Sequence, residues 1–317
     1  MRKTCLLVIV THNQIGYIKG CLESVFATTQ YPYRVLVIDN ASTDGTGEYL
    51  RGLQREGRID VIFNDVGRYW VGGINQGVEA VMAQGYDYAC LMNDDLITYP
   101  GWLERLVAVA ESDERIGIVN PSWELPRRRP GDVNAWMRRN IEPRGTAWIE
   151  QDWVRGFCFL VKRRVFEAIG GLDEAFAPGY YDDTDFSVRA VRKGFLTVRA
   201  EGAFVDHIEN GTFTSVERRK LLEDKRAVFE ARWGRKLNLF VALTPCGVAG
   251  DSRIRDLLLE TLRDQNRVTG IQTVSGLLPR HTECRATTVS GALLYPAVLA
   301  ALADNRRHSL KKHFDLI

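Results

Sequence analysis

Two adjacent carboxylates that follow an apolar run form the strongest chemical signal in the sequence. Residues 88–93 have the apolar character of a buried strand, and Asp94 and Asp95 come directly after them. Carboxylate oxygens bind hard cations such as Mg²⁺ or Mn²⁺, which keep the rest of their coordination shell for phosphate oxygens and water. The pair therefore predicts a divalent-cation site that neutralises a diphosphate. A solvated turn, or an N-cap for the following helix, fits the same two residues.

A second acidic cluster, Asp182-Asp183-Thr184-Asp185, lies at the start of a predicted helix. Crowded carboxylates repel one another, which raises the pKa of at least one of them and suits it to accept a proton from a hydroxyl group. Asp183 is our candidate for this general base. In the alternative interpretation, Asp182 and Asp183 only cap the helix and interact with its dipole. For Asp185 we favour a structural role, an ion pair with Arg189 at i, i+4 spacing.

A third polar run follows the second predicted strand. Asp39 and Asp44 belong to residues 39–46, which are rich in asparagine, serine and threonine and precede a helix. Side chains in such a turn are able to hold the base and ribose of a nucleotide, and Asp39 is the stronger candidate. Asp44 or Ser42 equally suits a cap of the following helix.

Two further features are weaker on their own. Gly73 and Asn75 lie in a glycine-containing run, where a glycine lets the backbone approach a ligand. No G-x-G-x-x-G pattern is present there, so the sequence does not indicate a dinucleotide-binding fold. His207 follows a strand-like run and would complete a cation site together with Asp95, although a lone histidine is more commonly structural.

The elements that position these residues have the pattern of an α/β fold. Short apolar runs rich in β-formers alternate with helical patterns, which is typical of βαβ units around a largely parallel sheet. The predicted strands span 6–11, 33–39, 59–64, 88–93, 116–120, 156–162 and 197–201, and the predicted helices span 15–28, 45–56, 73–84, 101–112, 164–169, 183–193 and 215–233. The first four strands end in Thr11, Asp39, Asn64 and Asn93. Because open α/β sheets bind ligands at the carboxyl ends of their strands, we expect these side chains to meet at one edge.

Two segments depart from this pattern. Residues 121–153 are rich in arginine, tryptophan and proline, which predicts a long loop insertion near the acceptor side of the site. The insertion either grips an anionic acceptor or is a solvated loop whose tryptophans pack locally. The composition changes again after residue 244, which predicts a small, mainly helical extension with helices near 252–266 and 290–303. We therefore divide the chain into a catalytic domain, 1–244, and a C-terminal extension of unknown role, 245–317.

The composition narrows the class of protein. The chain of 317 residues is 45% hydrophobic, enough for a substantial core, and its net charge of +2 gives no general preference for nucleic acid or an anionic membrane. The six cysteines are scattered singly, so we expect a reducing, cytoplasmic setting. No apolar run reaches the roughly 20 residues that span a bilayer. A basic end at 306–312 beside the apolar helix leaves peripheral membrane contact or a homodimer open.

Taken in order, the motifs resemble glycosyltransferase family 2, particularly its rhamnosyltransferase-like members. They are Thr11-His12-Asn13, residues 37–46, residues 72–77, Asn93-Asp94-Asp95, Gly170-Gly171-Leu172-Asp173, Asp182-Asp183-Thr184-Asp185 and His207. The resemblance covers about residues 4–240. It implies a GT-A fold, a Rossmann-like mixed sheet flanked by helices. It also implies an enzyme that moves a hexosyl or deoxyhexosyl group from a nucleotide-diphosphate sugar with inversion at the anomeric carbon.

The resemblance further implies roles for single residues on the donor side. Thr11, Asn13 and Asp39 match positions that hold the nucleotide, with Asp39 on the base. Asp94 and Asp95 match the motif for the cation, Mn²⁺ or Mg²⁺, and the diphosphate, with Asp95 as the direct ligand. His207 matches a second, late ligand of the cation, and Asn93 stands where the family often has an acidic residue.

On the acceptor side, Asp183 matches the base that deprotonates the acceptor hydroxyl. The acceptor itself stays open, because a glycan, a lipid-linked or otherwise anionic saccharide and modified bases of DNA all fit an insertion rich in arginine and tryptophan. A nucleotide-sugar-binding protein without transferase activity is the alternative from a different class. The intact Asp94, Asp95, Asp183 and His207 argue against it.

Overall fold

Four parallel strands form one side of the large sheet, and their sequences explain their central place. The computed structural model describes residues 3–126, 130–208, 215–236, 238–243, 252–263, 267–272, 281 and 284–288. All residues of β1 (Cys5–Thr11) are buried, as are those of β2 (Tyr33–Asn40) from Val35 onward. Strands that are covered on both faces are apolar throughout rather than alternating, and these two have that pattern. β2 pairs in parallel with β3 (Asp60–Asn64), and β1 pairs in parallel with β2 and with β4 (Tyr88–Asn93).

The rest of the sheet is mixed in direction. Its strands are β5 (Leu96–Thr98), β6 (Ile116–Ser122), β7 (Trp148–Glu150), β8 (Cys158–Lys162) and β9 (Leu196–His207). The main path of the sheet has the order β3-β2-β1-β4-β8-β6-β9-β5. β8 runs antiparallel to β4, whereas β6 and β9 are parallel to each other. β9 continues beyond its predicted end at residue 201 because its last residues pair with β5.

Helices lie between the strands in sequence, and several of them pack against the sheet. They are α1 (Ile15–Thr28), α2 (Thr46–Arg55), α3 (Tyr69–Gln84), α4 (Trp102–Ser112), α5 (Val133–Asn140), α6 (Arg163–Ile169), α7 (Asp182–Arg192) and α8 (Ser215–Trp233). The buried residues of α1 follow the helical period: Ile18, Cys21, Leu22 and Val25. A Cβ on Gly77 would overlap Val8 Cγ1, which shows how closely α3 packs against β1. The predicted α/β architecture, a mixed sheet flanked by helices, is confirmed.

The insertion at 121–153 contains regular structure, so the prediction of one long loop is wrong. It includes α5, a 3-10 helix at Glu142–Arg144 and β7. α5 forms because Asp132 caps its start, accepting the Ala135 N–H at 2.9 Å. Its Met137 is buried in a small cluster that includes Phe204. Sequence periodicity missed α5 because the helix is short and buries only one side chain. The predicted basic run 127–129 lies outside the described residues.

The chain divides into two compact units, one comprising Met1–Trp148 and Trp153–Phe229, the other Ile149–Asp152 and Glu230–Ile317. The second unit contains a parallel three-stranded sheet of β10 (Asn238–Leu243), β11 (Arg267–Gln272) and β12 (Cys284–Thr288). The boundary that the sequence suggested, after residue 244, falls inside this unit because β10 pairs with β11.

The helix predicted from residue 252 is present in the second unit as α9 (Ser252–Arg263), which buries Leu258 and Leu262. The three strands of this unit were not predicted. The predicted helix at 290–303 and the basic end at 306–312 lie outside the described residues. Among the helices that the structure describes, none is both long and apolar enough to cross a bilayer.

Candidate active site

The loops that follow β1 and β2 are fastened to each other at the carboxyl edge of the sheet. Asn13 Oδ1 accepts the Thr43 backbone N–H at 2.7 Å, and the Asn13 N–H donates to Ser42 Oγ at 2.9 Å. The strand register places Thr11 beside Asp39. The structure therefore brings Thr11, Asn13 and Asp39 together at one edge.

Asp39 and Asp44 have different surroundings. Asp39 is 3% exposed, and its Oδ1 accepts the Ser42 N–H at 3.1 Å. Asp44 accepts the backbone N–H groups of Ile15 at 3.0 Å and Thr46 at 3.1 Å. Asp44 thus fastens the starts of α1 and α2, which is the capping role that the sequence left open.

The two predicted cation ligands face each other across the ladder between β5 and β9. His207 pairs in register with Leu96, so its ring lies beside the preceding Asp95, with Nε2 3.2 Å from Asp95 Oδ1. Asn93 Nδ2 lies 3.4 Å from the same ring nitrogen. Asp95 is buried and His207 is partly exposed.

A carboxylate oxygen and an imidazole nitrogen at this separation fit a divalent cation. In the described part of the chain, no three His, Cys, Asp or Glu side chains gather closely enough to hold a metal. A cation at Asp95 and His207 would therefore have two protein ligands and keep its other positions for diphosphate oxygens and water, which is how Mg²⁺ binds beside a phosphate substrate.

The carboxylate of Asp94 is held from the neighbouring strand. Thr11 Oγ1 donates a hydrogen bond of 2.6 Å to Asp94 Oδ2. Burial raises the pKa of Asp94 to about 7; the Thr11 hydrogen bond opposes the rise, and the charge of Asp95 adds to it. Thr11 therefore orients one of the two carboxylates that end β4.

Asp182 begins α7 behind a strained turn. Tyr180 and Tyr181 both have positive φ, 72° and 63°, a region that non-glycine residues seldom occupy and that is concentrated at functional sites. Trp70 Nε1 donates to Asp182 Oδ2 at 2.9 Å. Burial, followed by the charge of Asp183, raises the pKa of Asp182 to about 8. Burial thus favours the protonated form of the Asp182 carboxyl.

Asp183 is the more exposed carboxylate of the acidic pair. It is partly exposed, and it accepts three hydrogen bonds: from the Gly156 N–H at 2.9 Å and from the Thr184 N–H and Oγ1 at 2.7 and 3.2 Å. Burial raises the pKa of Asp183, while the hydrogen bonds from Thr184 and Gly156 lower it. A partly exposed carboxylate with a raised pKa suits proton abstraction from a hydroxyl group.

Residues 156 and 157 join the two acidic clusters. The Gly156 N–H reaches Asp183, while the Phe157 carbonyl accepts the Asn93 N–H at 2.8 Å. The Phe157 ring also stacks on the His207 imidazole, with ring centroids 4.8 Å apart. Consecutive Cα atoms lie only about 3.8 Å apart. Two clusters that are distant in sequence therefore flank one short stretch of chain.

A buried amide fixes this stretch from β6. Asn120 Nδ2 donates to the carbonyls of Arg155 at 3.1 Å and Cys158 at 2.5 Å, and its Oδ1 accepts the Arg155 N–H at 2.7 Å. Asn120 is fully buried, so losing these bonds would leave unsatisfied polar groups in the core. The backbone of 155–158 is therefore held in one conformation.

Gly73 and Asn75 contact the protein itself. A Cβ on Gly73 would lie 3.0 Å from Val10 Cγ1. Asn75 donates to the Leu172 carbonyl at 2.9 Å and accepts the Leu172 N–H at 2.8 Å. Close packing on β1 explains Gly73, and hydrogen bonds to the loop before α7 explain Asn75. Neither residue requires a ligand.

The structural role favoured for Asp185 is confirmed. Asp185 is fully buried, and its Oδ2 accepts a hydrogen bond of 2.7 Å from Arg189 Nε. Arg189 also donates to the carbonyls of Ile169 and Gly171. The pair therefore attaches α7 to the glycine-containing loop that follows α6.

The sequence analysis missed three side chains that contact the predicted site residues: Trp70, Asn120 and Phe157. Asn120 ends a predicted strand, as Asn93 does, so the rule about strand ends would have found it. Trp70 and Phe157 gave no signal, because their partners Asp182 and His207 are remote in sequence.

A family model settles the classification. The model for glycosyl transferase family 2 matches residues 6–170, just over half of the 317 residues. The chain belongs to glycosyltransferase family 2. The match includes the ends of β1, β2 and β4 together with Gly156 and Phe157.

Curated relatives agree with this assignment. This glycosyltransferase is similar to the N-acetylglucosaminyl-diphospho-decaprenol L-rhamnosyltransferase of Mycobacterium tuberculosis, with 25% identity over 232 residues that cover 63% of this chain and 75% of the relative. It is also similar to the succinoglycan biosynthesis protein ExoA of Rhizobium meliloti, with 25% identity over 197 residues that cover 60% of this chain and 58% of the relative. The predicted resemblance to rhamnosyltransferase-like members is confirmed.

Solved structures show the same fold. A mannosyltransferase from Pyrobaculum calidifontis in complex with GDP-Man and Mn²⁺ superposes with a TM-score of 0.55 at 17% identity, over 73% of this chain and 65% of that one. GalNAc-T7 with UDP, GalNAc and Mn²⁺ superposes with a TM-score of 0.53 at 17% identity, over 65% of this chain and 44% of that one. The glycosyltransferase has a GT-A fold, as predicted.

Proposed function

We propose that this glycosyltransferase moves a sugar from a nucleoside-diphosphate sugar to an acceptor hydroxyl in one displacement that inverts the anomeric carbon. The observation that carries the proposal is the stretch at 156–157, which contacts Asp183 through Gly156 and both Asn93 and His207 through Phe157. The base lies on one side of this short segment and the diphosphate site on the other. An inverting displacement needs the same arrangement, with the acceptor oxygen on one face of the sugar and the leaving group on the opposite face.

Asp183 is the base in this proposal. It takes the proton of the acceptor hydroxyl while that oxygen forms a bond to the anomeric carbon, and the electrons of the breaking carbon–oxygen bond pass to the diphosphate. Asp182 suits the role less well, because it is buried and its carboxylate already accepts a hydrogen bond from Trp70. The Gly156 and Thr184 donors hold the Asp183 carboxylate in place, which is the positional part of general-base catalysis.

Asp95 and His207 are the residues that would hold the cation, since they offer an oxygen and a nitrogen 3.2 Å apart. When bound there, a divalent cation supplies positive charge to the departing diphosphate. Asp94, oriented by Thr11, lies next to this pair and limits where the diphosphate can bind. The two structural neighbours were solved with Mn²⁺, which supports a cation of this class.

The nucleotide belongs on the loops after β1 and β2. Asp39, almost fully buried at the strand end, is the proposed partner of the base, and the Asn13–Thr43 contact shapes the loop beside it. Gly73, Asn75 and Asp44 are outside this proposal, because their contacts are accounted for within the protein.

The relatives indicate the class of donor and acceptor. The name of the Mycobacterium relative describes transfer of L-rhamnose to a saccharide, which supports a hexosyl or deoxyhexosyl donor and a saccharide hydroxyl as acceptor. The Asp183 carboxylate accepts three hydrogen bonds that hold it in place, as a general base requires. This supports transfer of the sugar rather than binding of the nucleotide sugar alone.

A thermal-shift panel of UDP-, GDP-, dTDP- and CDP-sugars, each with and without Mn²⁺, tests the proposal. A bound donor at about 100 times its Kd adds about 2.7 kcal/mol to the free energy of unfolding. We expect at least one donor to raise Tm only with Mn²⁺, and the same donor to be hydrolysed slowly. In Asp95→Asn the Mn²⁺-dependent rise in Tm should disappear. The matched control is Asp60→Asn, because Asp60 is the first residue of β3 and lies at the end of the strand away from the site; this variant should keep the rise in Tm. A panel without any stabilising donor, or a product of retained configuration, would contradict the proposal.

A further inference from the structure

The guanidinium of Arg155 stands between two indole rings close to the proposed base. Its Cζ atom lies 5.1 Å from the ring centre of Trp153 and 5.8 Å from that of Trp123. The residue is exposed, and within the part of the chain that the structure describes its guanidinium makes no ion pair. An exposed guanidinium with aromatic walls offers a planar donor set for an oxyanion.

The backbone of Arg155 is held close to Asp183. Asn120 holds both the N–H and the carbonyl of Arg155, and the next residue, Gly156, donates to Asp183. Burial raises the pKa of Asp183, and the charge of Arg155 is near enough to lower it in part. A substrate whose hydroxyl reaches Asp183 therefore has the rest of its structure within reach of Arg155.

The Trp123 indole is held by two further side chains. Trp123 packs edge-on against Phe157 with ring centroids 5.6 Å apart, and Arg199 lies over its face at 5.7 Å. Trp123 and Trp153 are both partly exposed. Partly exposed tryptophans with fixed planes provide apolar surface against which a pyranose ring can lie.

We propose that Arg155, Trp123 and Trp153 form the acceptor subsite, and that the acceptor is a saccharide bearing a phosphate or diphosphate group. The inference rests on the proposed function, because it takes Asp183 as the position of the reacting hydroxyl. In this arrangement the sugar lies along the indoles and the guanidinium donates to the phosphate oxygens in bidentate fashion. One guanidinium neutralises one phosphate group, whereas binding of a polynucleotide draws on contacts to several successive phosphates.

Calorimetry with small probes tests the subsite directly. The probes are a panel of hexose 1-phosphates and the matching methyl hexosides, titrated in EDTA so that no cation holds the phosphate at Asp95. We expect the wild-type protein to bind at least one hexose 1-phosphate more than about 10-fold more tightly than its methyl counterpart, since hydrogen bonds between a guanidinium and a phosphate are charge-assisted. Arg155→Gln should abolish the difference, and Arg155→Lys should keep part of it because the charge remains.

Arg164→Gln is the matched control, since Arg164 is also exposed and lies over an aromatic ring, that of Phe195, on α6. It should bind like the wild type. A short-chain polyprenyl diphosphate sugar as a further probe distinguishes a lipid-linked acceptor from a free sugar phosphate. Equal binding of phosphorylated and methyl probes, an undiminished difference in Arg155→Gln, or tighter Arg155-dependent binding of a single-stranded oligonucleotide would overturn the inference. Donor hydrolysis by the wild type is measured separately with Mn²⁺. If the donor is hydrolysed but the subsite test fails, the acceptor subsite is wrong and the proposed function stands.

Discussion

The ring of Phe157 lies flat on the imidazole of His207, with centroids 4.8 Å apart and 13° between the ring planes. His207 Nε2 in turn lies 3.2 Å from Asp95 Oδ1. Phe157 therefore sets the plane of the imidazole that is proposed to bind the cation. Since the preceding residue donates to Asp183, any shift of this stretch acts on both halves of the site.

Phe157→Leu should weaken the response to Mn²⁺. The substitution removes the ring that orients His207, and loss of such support for a ligand typically costs 10–100-fold in metal affinity or activity. The measurement is the Mn²⁺ concentration for half-maximal activity. Phe166→Leu, which removes a ring from the other face of the sheet, is the control: both variants lose stability, and only the first should raise the Mn²⁺ requirement. If Phe157→Leu and Phe166→Leu showed the same dependence of activity on Mn²⁺, Phe157 would have no role in orienting His207.

Asp183→Asn should abolish transfer while the protein still binds its donor. The amide cannot take a proton from the acceptor, and a general base contributes about 10²–10⁴-fold to the rate. Single-turnover rates measure the chemical step, and thermal shift with donor and Mn²⁺ measures binding. Asp182→Asn, at the neighbouring residue, should retain most of the activity because its amide oxygen still accepts the Trp70 hydrogen bond and Asp183 is unchanged. Turnover by Asp183→Asn at the wild-type rate would eliminate it as the base.

Gly156→Ala should slow transfer through Asp183. A Cβ at this position would lie 3.2 Å from Asp183 Oδ2, tighter than an ordinary contact, so the carboxylate must move. We expect kcat to fall about 10-fold or more, because small misplacements of catalytic groups are costly. Gly52→Ala in α2 is the matched control, since nothing lies within 4 Å of its added methyl group and alanine is the better helix former. An unchanged kcat in Gly156→Ala would show that the position of Asp183 does not limit the rate.

The raised pKa of Asp182 should make stability fall as pH rises. The carboxyl has a pKa near 4 in the unfolded chain and about 8 in the folded protein, so between these values the folded state binds the extra proton. Its contribution is present below pH 4 and is lost as pH rises through 8. Urea unfolding from pH 5 to pH 9 should therefore show a smaller loss of stability in Asp182→Asn than in the wild type. The amide oxygen of this variant still accepts the hydrogen bond from Trp70. Parallel curves for the two proteins would contradict the assigned pKa.

The sequence predicted the fold well where its signals were local. The parallel strands and α1 follow from uninterrupted apolar runs and the helical period, and the strand-end rule found Thr11, Asp39 and Asn93. It failed where structure depends on remote partners. β9 extends to His207 because of β5, and α5 depends on Asp132 as its cap and on burial of Met137.

The sequence singles out the acidic residues of the candidate site but not the side chains that contact them. Asp95 and Asp183 stand out because adjacent carboxylates are unfavourable unless something uses or caps them. Nothing in the sequence near Trp70 or Phe157 indicates that these rings contact Asp182 and His207. Such contacts arise only when the chain folds.

Crystals soaked with Mn²⁺ and the nucleoside diphosphate selected by the thermal-shift panel would show where the cation and the diphosphate bind relative to Asp95, His207 and Asp183. Anomalous scattering locates the manganese independently of the rest of the electron density. We predict one strong peak about 2 Å from a carboxylate oxygen of Asp95 and from Nε2 of His207, with the diphosphate beside it and its terminal phosphate facing Asp183. Manganese bound elsewhere, or a diphosphate whose terminal phosphate faces away from Asp183, would contradict the account.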